Sequence, residues 1–172
     1  MGDCFPRRDD AQANFGGLPA KCRMSGICDS EMKIRRFNRK DLGDIMEIEE
    51  RAFPKSPYSP FTFLHYALAF PKNFLVCEHE GKIVGYIIFH SDGHIISIAV
   101  HPEWRRKGIG TALMNEVFKR TGGKAMVEVR ESNKIAINFY KKLGFVFKTR
   151  VPLYYGDEDA LIMVRGRDSD EF

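Results

Sequence analysis

The stretch from Ile98 to Gly110 restricts the possible folds and functions of this chain more than any other part of its sequence. An apolar, β-branched run ends at His101-Pro102, a short turn follows, and two glycines then open an amphipathic helix. The first N–H groups of a helix carry partial positive charge, and glycine lets an anion approach the backbone closely. Three cations precede the helix: Arg105, Arg106 and Lys107. The pattern predicts a strand-to-helix junction that binds a phosphorylated cofactor.

The spacing of these glycines excludes two common types of phosphate site. A P-loop requires Lys and then Ser or Thr after its second glycine, and the dinucleotide-binding fingerprint requires a third glycine. Neither pattern follows Gly108 and Gly110. The alternative that stays open is a tight strand-to-helix turn whose cations are simply solvated.

Length and composition indicate one globular domain. The chain has 172 residues, of which 44% are hydrophobic and 29% charged, which is enough for one sizeable core. A net charge of +4 is too small for a nucleic-acid interface, so no nucleic-acid partner is expected. No apolar run reaches the length of a membrane span, and residues 1–31 lack the apolar core of a secretory signal.

The cysteines favour a reducing compartment. Four cysteines do not make a disulfide framework in a chain of this size, and Cys77 lies in an apolar strand. Cys22 and Cys28 have no matching second pair, so no metal site is expected. We therefore predict a cytoplasmic protein that uses no metal.

The chain divides into a leader, a working domain and a tail. Residues 1–31 are rich in Gly, Pro, Asp and Arg without periodicity, which predicts a disordered leader, and 168–172 should form a flexible tail. The working domain is therefore 32–167. Its predicted strands are 33–37, 73–79, 82–90, 94–100, 124–130, 145–151 and 160–165. Its predicted helices are 41–51, 61–70, a helix that runs from the glycine turn to about residue 120, and 133–143, with Gly144 as its C-cap. The pattern alone indicates a mixed α/β fold with one strand–helix–strand crossover.

A second informative stretch runs from Glu128 to Phe145. In its predicted helix, Asn133, Ala136 and Tyr140 share one stripe, and the small Ala136 between two polar residues leaves room for a ligand. A neighbouring apolar stripe should hold this helix on the core, and it consists of Ile135, Phe139 and Leu143. The alternative is that Tyr140 only lies at the edge of the core, with its hydroxyl toward solvent.

These two stretches together resemble a known family. The spacing Arg105-x-x-Gly108-x-Gly110 after a strand resembles the signature of the GCN5-related N-acetyltransferases (GNAT). The run Glu128-Val-Arg-Glu-Ser-Asn133, followed by Phe139-Tyr140, is similar to the protein N-terminal acetyltransferases of the RimI type. The resemblance follows the element order through most of 32–165, and residues 1–31 depart from it. It implies the GNAT fold, an α/β (mixed α+β) architecture with a central, mixed, mostly antiparallel sheet of about seven strands flanked by four helices.

The resemblance implies acetyl-CoA as co-substrate and assigns residues to it. The backbone of Ile98, Ala99 and Val100 should pair with the pantetheine arm. The N–H groups of residues 106–111 should hold the pyrophosphate, with Gly108, Ile109, Gly110 and Thr111 at the start of the helix. The side chains of Arg105, Arg106 and Lys107 should meet phosphates, and Asn133 and Tyr140 should contact CoA.

The resemblance also implies the catalytic residues. Glu128 would be the general base for the attacking amine, and Tyr140 the proton donor to the departing CoA thiolate, in direct transfer within a ternary complex. The residues alone leave a second interpretation of Glu128 open, as a strand carboxylate paired with Arg130 or Lys124.

Two segments are expected to bind the acceptor. Phe53 and Tyr58 lie in the loop between the first two helices, where the resemblance places the acceptor. Tyr154 and Tyr155 lie between the last two strands, in a segment that resembles the tyrosine-bearing hairpin of the NatA catalytic-subunit type and RimI-type enzymes. Exposed tyrosines can hydrogen-bond an extended peptide, and the alternative is that they are only aromatic residues at a hairpin tip. The resemblance implies the α-amino group of a protein or peptide N-terminus as acceptor, with ribosomal proteins as one candidate source. It leaves open an auxiliary subunit and a monomer or weak dimer, with no membrane partner. The alternatives are an acetyltransferase for a small amine or an internal lysine, and a non-catalytic acyl-CoA-binding regulatory module.

Overall fold

The computed structural model describes residues 32–54 and 56–166, so the predicted leader and tail lie outside the described residues. The described elements follow the predicted order. They are β1 (Lys33–Arg36), α1 (Leu42–Ala52), α2 (Pro60–Ala69), β2 (Phe74–His79), β3 (Lys82–Phe89), β4 (Ile95–Val100), α3 (Ile109–Thr121), β5 (Ala125–Arg130), α4 (Lys134–Lys142), β6 (Val146–Val151) and β7 (Ala160–Arg165). Short 3-10 turns at Arg39–Asp41 and Pro102–Trp104 precede α1 and α3. The mixed α/β fold class is confirmed, and the element bounds differ from prediction by only one or two residues.

The strands form two antiparallel sheets where the family resemblance implies one central sheet. The first sheet has the order β1-β2-β3-β4, and the second has the order β5-β7-β6. Within the described residues, the one β-bridge recorded between the two sheets is parallel and joins His94 to Met126. The N–H of Met126 there donates to the carbonyl of Gly93 at 3.0 Å. Because this pairing does not continue, the carboxyl halves of β4 and β5 lie beside a break between the sheets.

Gly93 makes the close approach of the two sheets possible. Its φ is +92°, a left-handed conformation that favours glycine. A methyl group at this position would overlap the backbone carbonyl of Lys124, just before β5. Any side chain at Gly93 would therefore push the sheets apart at the point where they join.

Helices cover both faces of the sheets. The cluster under α1 and α2 includes Ile45, Ile48, Phe63, Tyr86 and Ala99. The cluster under α3 and α4 includes Leu113, Val117, Ile98, Val100, Val127 and Phe139. Since neighbours along a strand point to opposite faces, β3 and β4 are buried on both sides, as their apolar runs predict.

Helix α4 presents a different face to the core from the one predicted. Ile135 is 39% exposed, so its expected place in the apolar stripe is wrong. The buried residues of the helix are Ala136, Ile137, Phe139 and Tyr140. At 100° per residue these four form one stripe that leaves Ile135 to the side. The cap is Leu143, one residue earlier than predicted, and Gly144 follows it with a φ of +85°.

Among residues 32–54 and 56–166, no helix is both long and apolar enough to cross a membrane.

Candidate active site

The turn before α3 forms a concave array of backbone N–H groups, here called the diphosphate loop (residues 105–111). Arg106 and Gly108 both adopt positive φ, at 63° and 80°. The N–H of Ala112 donates to the carbonyl of Gly108 at 2.9 Å and is the first α-helical donor, so the N–H groups of residues 109–111 have no acceptor within the helix. Successive amides in such left-handed turns, together with a helix N-terminus, bind anions. The backbone therefore fits a diphosphate.

The three cations of the diphosphate loop have different surroundings. The Nε of Arg105 donates to the carbonyl of Val100 at 3.3 Å, and burial lowers the pKa of this guanidinium. The Nζ of Lys107 lies 4.2 Å from the ring centroid of Trp104, within cation–π range. Arg106 is exposed. Arg105 is thus turned toward β4, whereas a phosphate contact by Arg106 or Lys107 requires less rearrangement.

Strand β4 presents backbone, not side chains, to the break between the sheets. The side chains of Ile98, Ala99 and Val100 are buried in the two cores. Opposite β3 the register steps from Ser97 to Ile95, which leaves Ile96 as the extra residue of a β-bulge. A ligand in the break can therefore pair with β4 through main-chain groups, as the family resemblance implies for pantetheine.

Glu128 is paired with a histidine that the sequence analysis missed. Its Oε2 lies 2.7 Å from Nε2 of His94, and the two side chains are 16% and 15% exposed. The alternative prediction, that Glu128 pairs with Arg130 or Lys124, is therefore wrong. Arg130 instead binds Asp157 and Glu158. His94 is the residue of the bridge between the sheets, so its position depends on a long-range contact with no local signal in the sequence.

A row of rings connects this pair to α2. The ring of His90 stacks on the ring of His94, with 6.0 Å between centroids. The ring centroid of Phe70, just after α2, lies 4.5 Å from that of His90. Glu128 therefore faces the side of the sheets that carries α1 and α2. This is the side from which the predicted acceptor loop approaches.

The two polar residues predicted on α4 are both buried. Tyr140 is 3% exposed, and its ring meets Phe139 and Phe145 edge to face, each at 5.2 Å. The interpretation of Tyr140 as a residue at the solvent edge is therefore wrong. Asn133 is the N-cap of α4, where its Oδ1 accepts the N–H of Ala136 at 3.0 Å. This cap fixes the start of the helix whether or not Asn133 also contacts CoA.

The predicted acceptor residues divide into buried and accessible ones. Phe53 is buried and Tyr58 is half-buried. Tyr154 is also half-buried, but Tyr155 is only 5% exposed, so the expectation that both tyrosines are exposed is wrong for Tyr155. The guanidinium of Arg130 lies 4.2 Å from the Tyr155 ring centroid, which explains this burial. Tyr155 therefore supports Tyr154, with which it makes an edge-to-face contact at 5.1 Å.

Comparison with known proteins identifies the family. The model of the Acetyltransferase (GNAT) family matches residues 42–145. An uncharacterized N-acetyltransferase of Methanocaldococcus jannaschii is 43% identical over 143 residues, covering 78% of this chain and 91% of that protein. An N-alpha-acetyltransferase of Sulfurisphaera tokodaii is 35% identical over 154 residues, covering 77% of this chain and 92% of that protein. The crystal structure of the ribosomal-protein-S18-alanine N-acetyltransferase from Escherichia coli is similar with a TM-score of 0.66 and 29% identity, covering 83% of this chain and 99% of that one.

The chain belongs to the GNAT family of acetyltransferases, and the predicted fold and enzyme class are confirmed. No group of three or more His, Cys, Asp or Glu residues within 32–54 and 56–166 is arranged to hold a metal ion. Cys22 and Cys28 lie outside the described residues, so a protein without metal stays a prediction.

Replacing Gly108 should weaken acetyl-CoA binding through the backbone. A Cβ at this position meets no atom within 4 Å, but the φ of +80° is strained for any residue with a Cβ. Strain of this kind costs about 1–3 kcal/mol, so we expect Gly108→Val to raise the Kd for acetyl-CoA about 5- to 150-fold in calorimetry. Gly43→Ala is the matched control, because Gly43 lies within α1 and also has open space around it. An unchanged Kd in Gly108→Val would contradict the diphosphate loop.

Proposed function

We propose that this enzyme transfers the acetyl group of acetyl-CoA to the α-amino group of a protein N-terminus. The observation that carries the proposal is the pair of Glu128 and His94, which faces the acceptor side of the break between the sheets. Two of the similar proteins support it, since one is named an N-alpha-acetyltransferase and the other an alanine N-acetyltransferase for a ribosomal protein. Alanine has no side-chain amine, so that name describes a main-chain nitrogen.

The acid–base chemistry favours an α-amine over a lysine. An amine attacks a thioester carbonyl only in its unprotonated form. Removing the proton at pH 7 costs about 1 kcal/mol for an α-amino group with a pKa of about 7.7–8.0, and about 4–5 kcal/mol for a lysine at about 10.4. Glu128 would accept this proton, directly or through a water molecule. His94 would act as a positioning residue, because its hydrogen bond holds the carboxylate in place.

The acyl group would move directly from sulfur to nitrogen. The C–N bond forms as the C–S bond breaks, and Tyr140 would protonate the departing thiolate. Cys77 is not a competing nucleophile, because burial raises the pKa of its thiol to about 11 and keeps it protonated at neutral pH. The diphosphate loop and the main chain of Ile98–Val100 would hold acetyl-CoA, with Asn133 beside it.

The acceptor would lie between two aromatic segments. Tyr58 would line one side, in a loop that buried Phe53 fixes to the core, and Tyr154, supported by Tyr155, would line the other. We place the reaction in the cytoplasm and regard ribosomal proteins as candidate acceptors, by analogy with the Escherichia coli structure.

A peptide panel tests the proposal. We expect acetylation of peptides with a free N-terminus and none of the same peptides blocked at the N-terminus but carrying an internal lysine. Mass spectrometry of the products locates the acetyl group. Acetylation confined to lysine side chains or small amines would overturn the α-amine assignment. Binding of acetyl-CoA without transfer to any amine would instead support a regulatory acyl-CoA-binding module.

A further inference from the structure

A fully buried carboxylate lies below the acceptor loop (residues 53–54 and 56–59 of the described chain) and takes no part in the proposed chemistry. Glu49, in the second half of α1, is 0% exposed. Its Oε1 accepts the backbone N–H of Tyr58 at 2.9 Å, and its Oε2 accepts a hydrogen bond from the hydroxyl of Tyr86 in β3. Burying a carboxylate is costly unless donors satisfy it, and these two donors do so.

Tyr58 is the residue through which the acceptor loop is attached to both neighbouring helices. Its backbone is bound by Glu49 of α1. Its ring packs edge to face against Phe63 and Tyr66 of α2, at 6.0 and 5.9 Å between centroids. The loop is therefore held at Tyr58 by a hydrogen bond to a fully buried carboxylate that also binds Tyr86.

The same carboxylate is connected to the strand predicted to bind acetyl-CoA. The hydroxyl of Tyr86 lies 3.1 Å from Oγ of Ser97, and both atoms are buried. Ser97 directly precedes Ile98 in β4 and lies beside the β-bulge. Glu49 and Tyr86 thus join the acceptor loop to β4 through three consecutive hydrogen bonds.

We propose that Glu49 is a positioning residue that holds the acceptor loop, against β4, in the conformation that receives the peptide N-terminus. The inference rests on the proposed function. It adds to the proposed function a residue that determines peptide affinity and takes no part in the chemical step. When only a fraction of molecules has the competent loop, the apparent affinity for peptide falls by that fraction.

The test separates peptide affinity from turnover. Glu49→Gln keeps the shape of the side chain but leaves one acceptor oxygen for two donors, because the amide NH2 can only donate. The hydrogen bond to the N–H of Tyr58 is then weakened or lost, so we expect the KM for a free N-terminal peptide to rise about tenfold. We expect kcat to change less than about twofold and the Kd for acetyl-CoA to stay unchanged. Tyr86→Phe removes the donor on Oε2 and should raise KM in the same direction by a smaller factor, which keeps the test available if Glu49→Gln does not fold.

Two further measurements distinguish positioning from general stability. Ile48→Val lowers stability at a neighbouring, fully buried position of α1 and should leave the peptide KM unchanged. In hydrogen exchange, the amide of Tyr58 should exchange about tenfold faster in Glu49→Gln, while the amides of β3 keep their protection. A lower Tm with unchanged peptide KM and unchanged Tyr58 exchange would overturn the inference. If the wild type acetylates no free N-terminus, the proposed function fails, and the exchange of Tyr58 still decides whether Glu49 holds the loop.

Discussion

Glu128→Gln should lower kcat for peptide acetylation by about 10²–10⁴-fold, the usual contribution of a general base, and leave the Kd for acetyl-CoA unchanged. Glutamine has the shape of glutamate and still offers an oxygen to His94, 2.7 Å from the present carboxylate. The substitution therefore removes the capacity to accept a proton while keeping the packing. Steady-state kinetics and calorimetry with acetyl-CoA measure the two quantities separately.

The pH dependence of the variant distinguishes a base from a structural carboxylate. An α-amine with a pKa of about 7.7–8.0 is largely unprotonated by about pH 9, so raising the pH should partly restore kcat/KM in Glu128→Gln. Glu116→Gln is the matched control, because Glu116 lies on α3 and pairs with Lys119 at the surface. A kcat for Glu128→Gln within threefold of wild type, with no gain at high pH, would contradict the assignment of Glu128.

Local chemistry explains which parts of the site could be predicted from the sequence. The junction between β4 and α3 depends on a proline, cations and two glycines within one turn, so it is readable from 98–110 alone. The bounds of most elements follow from hydrophobic periodicity in the same way. Glu128 and Tyr140 are predicted to be catalytic because the spacing of their motif resembles that of a known family.

Long-range pairing explains what the sequence could not predict. The hydrogen bond between His94 and Glu128 joins residues 34 positions apart, and it depends on one bridge between two sheets. Glu49 fits the spacing of an amphipathic helix, and nothing local indicates that Tyr58 and Tyr86 would surround it with donors. Tyr155 was expected to be exposed between the last two strands, but it is buried, with its ring against the guanidinium of Arg130 in β5.

Because Tyr140 is buried, the role of its hydroxyl can be tested separately from the packing of its ring. Its ring is held between Phe139 and Phe145, so phenylalanine at this position fits the same apolar contacts. Loss of one buried hydroxyl should cost only about 1 kcal/mol of stability. If Tyr140 serves only to pack α4 against the core, Tyr140→Phe will therefore retain almost full activity.

We expect instead that Tyr140→Phe lowers kcat by about 10²–10⁴-fold, because the departing thiolate loses its proton donor. Acetyl-CoA binding should persist, since the diphosphate loop and β4 are unchanged, and calorimetry checks this. Tyr66→Phe removes the same atom from another buried tyrosine, on α2, and should leave kcat near the wild-type value. Equal turnover of Tyr140→Phe and Tyr66→Phe would mean that α4 contributes packing and not proton transfer, and that the thiolate departs without assistance from this helix.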